Sequence, residues 1–129
     1  MKVACVTDDG RTISQHFGRA TQYAVLTVED GKIVGRELRA KMGHQHFASQ
    51  DHAAGQHSGT DAASHNKHVS MAEVIRDCEA LLCRGMGYGA YASMQQLGIK
   101  LMVTDVADIE EAVQAYIEGR LQDHPEKLH

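Results

Sequence analysis

The chain opens on a short apolar run, Lys2-Val3-Ala4-Cys5-Val6-Thr7, which ends in the turn Asp8-Asp9-Gly10. A strand that begins the chain and feeds a polar loop has the layout of a central strand in an α/β domain. Such strands deliver functional loops at their carboxyl ends. The first loop covers residues 8–21, with Ile13 placed for a short paired extension. Tyr23-Ala24-Val25-Leu26-Thr27-Val28 reads as a second strand, and Ile33 to about Ala40 as a third. The turn between them is Glu29-Asp30-Gly31-Lys32, where Asp-Gly supplies the positive φ a hairpin needs. In the third strand Val34, Arg36 and Leu38 do not separate cleanly into two faces.

The second half has a helical period between its strands. Ser70-Met71-Ala72-Glu73 is a capping box, opening a short helix to about Asp77. Ala80-Leu81-Leu82-Cys83 is apolar enough to be a strand buried on both faces. The glycine loop Arg84-Gly85-Met86-Gly87-Tyr88-Gly89 follows, then a helix from about Ala90 to Leu97 that Gly98 terminates. Ile99 to Val103 is a fifth strand. Asp108 caps a last helix with Glu111 at its third position. Ile109, Ala112, Val113, Tyr116 and Ile117 share one face of it, and Gly119 closes it. These elements predict an α/β domain over residues 1–119 with a five-stranded mixed sheet and flanking helices. A polar tail, 120–129, follows.

Residues 41–69 break the pattern. Among residues 41–68 only Met42 and Phe47 are large and apolar, and six of the nine histidines fall between His44 and His68. A loop of this length inside a compact domain is usually functional or disordered, and this one is expected to be mobile without a ligand. Its composition supports metal binding. His44 with His46 and His65 with His68 are spaced to chelate in pairs, and His52 and His57 add further imidazoles. The spacing matches no zinc finger, and no His-Glu-x-x-His occurs. An insertion without a role fits the same composition.

Composition narrows the class. At 129 residues the chain suits one core, and with 43% apolar but 5% aromatic residues that core is aliphatic. A formal charge of -4 gives no reason to expect a polyanion, and no basic stripe with interleaved aromatics is present, so nucleic acid is not an expected partner. No run of 18 apolar residues exists to span a membrane. Lys2 followed by a strand pattern broken by two aspartates does not read as a signal peptide. Three cysteines, an odd number, fit a reduced cytoplasmic protein.

Several residues carry candidate chemistry. Gly85, Gly87 and Gly89, between a buried strand and a helix, would let backbone amides approach an anion, with Arg84 beside them. The spacing is neither a dinucleotide fingerprint nor a phosphate-binding P-loop, and a tight strand–helix turn without ligand explains the same glycines. His16 is a candidate metal ligand and Arg19 a guanidinium donor; His16 capping a helix or packing on Phe17 is the structural alternative. Free cysteine is commonly buried and inert, which is the reading for Cys5, whereas Cys83 directly precedes the glycine loop and is the best thiolate candidate. No Cys-x-x-Cys encodes a four-cysteine iron–sulfur site. Asp8 and Asp9 end the first strand, but Glu79 and Asp105 do not complete a two-metal nuclease cluster, and there is no serine nucleophile elbow.

With these loops placed, the chain resembles the dinitrogenase iron–molybdenum cofactor biosynthesis proteins. The resemblance rests on Met1-Lys2-Val3-Ala4, Thr7-Asp8-Asp9-Gly10 and the distinctive Ser14-Gln15-His16-Phe17-Gly18-Arg19-Ala20. It also rests on Leu82 to Ala90, Leu97-Gly98-Ile99-Lys100 and Glu110-Glu111-Ala112-Val113, and it covers residues 1–40 and 70–119. It implies a ribonuclease-H-like fold without nuclease activity. It further implies a non-enzymatic carrier of an iron–sulfur or iron–molybdenum-type cluster, or of a molybdenum–copper sulfide, with a cofactor-assembly or acceptor protein as partner. Carried over by residue, His16 is the motif histidine and Arg19 its accompanying base. Many relatives are shorter and poorer in histidine where this chain has residues 41–68. A Zn, Ni or Cu binding or storage protein working through that loop is therefore the alternative function.

Overall fold

The computed structural model describes residues 1–41 and 71–128. Five strands form one sheet: β1 (Lys2–Thr7), β2 (Gln22–Glu29), β3 (Lys32–Ala40), β4 (Ala80–Cys83) and β5 (Lys100–Val103). Their order is β3-β2-β1-β4-β5. β2 runs antiparallel to β1 and β3, whereas β1, β4 and β5 are mutually parallel. Among the described residues the helices α1 (Tyr88–Gln96) and α2 (Ile109–Ile117) flank the sheet in an α/β, ribonuclease-H-like arrangement. No helix among the described residues is long and apolar enough to cross a membrane.

Local chemistry explains each boundary. The hairpin turns on Asp30 (φ 53°) and Gly31 (φ 74°), the two positive-φ positions that suit the right-handed twist of the strands. A register shift follows, because Thr27 pairs with Gly35 but Val28 with Ile33. Val34 is the extra residue of a bulge, which is why the third strand shows no clean alternation in sequence. Both helices end in the same way. Gly98 (φ 87°) and Gly119 (φ 76°) take the left-handed position, and backbone bonds run from Ile99 to Met94 and from Arg120 to Ala115. Asp108 caps α2 by accepting from the Glu111 amide at 2.9 Å.

Three boundaries differ from expectation. α1 begins at Tyr88 rather than Ala90, so Gly89 lies in its first turn and not in the loop. β5 begins at Lys100, leaving Ile99 buried in the helix-end motif. Residues 71–73 are helical, but 74–77 are turns closed by three-residue bonds such as Cys78 to Ile75. Ser70, the expected cap, lies outside the described residues. The extension at Ile13 is present. Its amide bonds Ala107, and Thr12 bridges Asp108, so the first loop is tied to the start of α2.

The sheet is covered on both faces. Arg36 and Arg39 have opposite parity on β3 and so point to opposite sides. Arg36 reaches Glu110 of α2 at 3.0 Å. Arg39 reaches Asp77 and the Val74 carbonyl, while Tyr23, opposite it on β2, donates to the Met71 carbonyl at 3.0 Å. Residues 71–77 therefore lie over one face and α2 over the other. Between these layers β1 and β4 are buried almost throughout, with Val3, Ala4, Cys5, Val6, Leu81 and Leu82 at 0% exposure.

Two carboxylates make the fold acid-sensitive. Hydrogen bonds from the Thr12 and Arg11 amides hold the Asp9 carboxyl far below its ordinary value, and the Arg39 guanidinium does the same for Asp77. As pH falls, the unfolded chain takes up these protons first. The stabilisation is complete above about pH 5 and declines progressively below it. We expect the urea midpoint to fall between pH 7 and pH 3. Asp77→Asn should be less stable at pH 7 and lose less on acidification than the native chain.

Candidate functional site

β1 and β4 are parallel neighbours, so their carboxyl ends deliver the first loop and the glycine loop side by side. The first loop is internally braced. Asp9 accepts from both Arg11 and Thr12 amides, and Asp8 accepts from the Thr21 amide at 3.0 Å, closing the loop's far end. Ser14 accepts from the His16 amide, and His16 in turn accepts from the Arg19 and Ala20 amides. This tight turn sends Phe17 into the core and leaves His16 and Arg19 exposed. Beneath it, the buried Lys41 lies 4.3 Å from the centre of the Phe17 ring and donates to the Phe17 carbonyl.

The two loops are bonded to one another. The Arg84 amide donates to Ser14 at 3.4 Å, and the Phe17 amide donates to Gly85 at 3.1 Å. At the centre of this contact a Cβ on Gly85 would collide with the Gln15 carbonyl oxygen. The requirement for glycine at 85 is thus a close approach of two backbones. Gly87 is the residue before α1, in an extended conformation.

An open cleft of about 390 Å³ lies over this junction. Among the described residues it is lined by Gln15, His16, Arg84, Gly85 and Lys127. Two of these side chains are fixed cations, one is an imidazole, and none is an acid. The Nε of Arg84 is buried without a hydrogen-bond partner among the described residues. A buried guanidinium N–H left unpaired is costly, and an anionic acceptor in the cleft would relieve that cost. The cleft is a place to hold an anion by charge and hydrogen bonds.

Metal ligation is sparse by comparison. Among the described residues no three His, Cys, Asp or Glu side chains converge on a point that would hold a metal ion. Asp8 and Asp9, weighed as nuclease ligands, are engaged in bracing the first loop. Cys83 is fully buried, and its Sγ lies 3.7 Å from the Met102 carbonyl. Burial pushes its thiol up to about 12, only partly offset by the Gly85 amide. Cys78 is also pushed up to about 12, and Cys5 higher still, in both cases chiefly by burial.

Residues 1–119 match the sequence profile of the dinitrogenase iron-molybdenum cofactor family. The chain belongs to this family. It is 27% identical over 123 residues to the uncharacterised protein MJ0580 of Methanocaldococcus jannaschii, covering 95% of this chain and 90% of that one. Its fold resembles the crystal structure of PH0822, with a TM-score of 0.66 at 22% identity over 96% of both chains. It also resembles the apo form of the orange protein of Desulfovibrio gigas, with a TM-score of 0.66 at 20% identity over 95% of this chain and 92% of that one. At these identities the structures show the fold alone.

Within this family member the structure brings together His16, Arg84 and Gly85. Arg19 is exposed and is not among the cleft-lining residues; Gly89 is in α1, and Cys83 is in the core. His44, His46, His52, His57, His65 and His68 lie outside the described residues. Gln15 and Lys127 were missed from sequence. Gln15 sat unremarked inside the first-loop motif, and Lys127 lay in a segment whose polarity gave no signal of its position.

Gly85→Ala tests the junction. The added methyl meets backbone on the facing loop, which can move only by separating the two loops. A loss of about 1–3 kcal/mol in urea unfolding is expected. The same methyl at the exposed, uncrowded Gly18 should cost far less.

Proposed function

We propose that this protein binds and carries an anionic iron–sulfur or molybdenum-containing cluster during cofactor assembly, without catalysing a reaction. The observation that carries this reading is the cleft of His16, Arg84 and Lys127, which among the described residues has no acid in its lining and leaves the buried Arg84 Nε without a partner, in a member of the dinitrogenase iron-molybdenum cofactor family. Sulfide-rich clusters are anionic. Arg84 and Lys127 supply charge-assisted donors to such a cargo, and His16 supplies one imidazole nitrogen that can ligate a metal at its surface. Arg19, on the same loop, adds positive potential at the approach. One ligand and several donors make a site that can release what it holds, as handover to a cofactor-assembly or acceptor protein in the cytoplasm requires.

The histidine count supports a second reading. Six of the nine histidines stand between His44 and His68, a composition suited to Zn, Ni or Cu ions. Metal and acid-labile sulfide analysis of untagged protein, purified without oxygen from its native host, separates the two. Iron or molybdenum with sulfide, in fixed ratio to protein and largely lost in Arg84→Met, is the expected result. Divalent metal without sulfide, lost when residues 44–68 are deleted, would instead move the function to the histidine-rich segment.

A further inference from the structure

The family match ends at residue 119, yet one wall of the cleft comes from beyond it. After α2 the chain turns back toward the carboxyl edge of the sheet. Asp123 accepts from the Val103 amide at 2.8 Å, and the His124 amide donates to the Val103 carbonyl at 2.7 Å. These two bonds clasp the last residue of β5. Pro125–Lys127 then forms one 3₁₀ turn, closed by the Lys127 amide on His124 at 3.0 Å. Leu128 bridges Met86 of the glycine loop in parallel, and the Lys127 carbonyl comes within 4.0 Å of where a Gly85 Cβ would be. The segment thus runs from β5 across the end of β4 to the cleft.

Its charges are sorted along the way. The His124 ring lies 2.9 Å from Glu126 and 3.7 Å from Asp105, which engages both acids. Neither acid is among the residues lining the cleft, whereas Lys127 is. The half-buried Lys127 faces the same space as Arg84 and His16.

We propose that residues 120–128 are an anion-binding strap, in which the Asp123–Val103 clasp positions Lys127 as a charge-bearing contact to the cargo. The strap makes the cleft selective for guests carrying at least two negative charges. It rests on the carriage reading and adds a determinant from outside the family-matched region. A lone arginine neutralises one charge, while Arg84 and Lys127 lining the same cleft reward a second.

The test is titration of the full chain with tetrathiomolybdate, a sulfide-rich dianion, followed by absorbance and equilibrium dialysis. Lys127→Met keeps the aliphatic stem and should weaken binding about tenfold, while Lys127→Arg should restore it. Asp123→Ala removes no cleft charge but releases the clasp. It should weaken binding in the same direction and add little in the Lys127→Met background, because both act through one contact. If Lys127→Met binds as tightly as the native chain while Arg84→Met does not, the strap is mere packing and the carriage reading survives. If neither variant changes affinity, both ideas fall.

Discussion

The site depends on one close approach, Gly85 against the Gln15 carbonyl. Parallel pairing of β1 and β4 brings two loops to the same edge, but adjacency alone does not lock them. The Arg84–Ser14 and Phe17–Gly85 backbone bonds do, and they form because position 85 carries no side chain. With the loops locked, Arg84 leaves its strand with Nε enclosed, and His16 projects from a turn that Ser14 and Asp9 hold in shape. A wider separation would hydrate the guanidinium and dissolve the cleft's electrostatic character.

That character separates holding from ligating. The described cysteines are buried, burial raises the pKa of their thiols, and none of them lines the cleft. The cleft offers cations, an imidazole and an amide side chain in their place. Charge-assisted contacts bind an anion firmly, yet they exchange readily with another set of donors. On the reading proposed, cargo specificity then comes from how many cations converge and how far apart they stand. The converging segments are remote in sequence: a loop after β1, a loop after β4, and a strap after α2.

The ion pairs at the edge strand have a separate structural task. Asp77 and Arg39 tie residues 71–77 to the edge strand β3, and Arg36 with Glu110 ties α2 to the opposite face. These pairs are partly exposed and individually modest. Their value is positional, since they register the two covering layers against a strand whose own faces a bulge has mixed. The apolar core beneath carries the bulk of the stability.

Local signals in the sequence specify most of the elements and their class. Alternation, the Asp-Gly turn, the Asp108 cap and the terminal glycines are local signals, each satisfied by residues within a few positions, and they were legible as such. The third strand resisted reading because a bulge changes the parity of its side chains partway along. The site was legible only in part. His16, Arg84 and Gly85 stood out by residue type. Which loop faces which, the steric reason for Gly85, the exclusion of Cys83 from the cleft and the recruitment of Gln15 and Lys127 were decided by strand order and backbone contacts. Such contacts join residues as far apart as 15, 85 and 127, and no periodicity along a chain encodes a distance across a sheet.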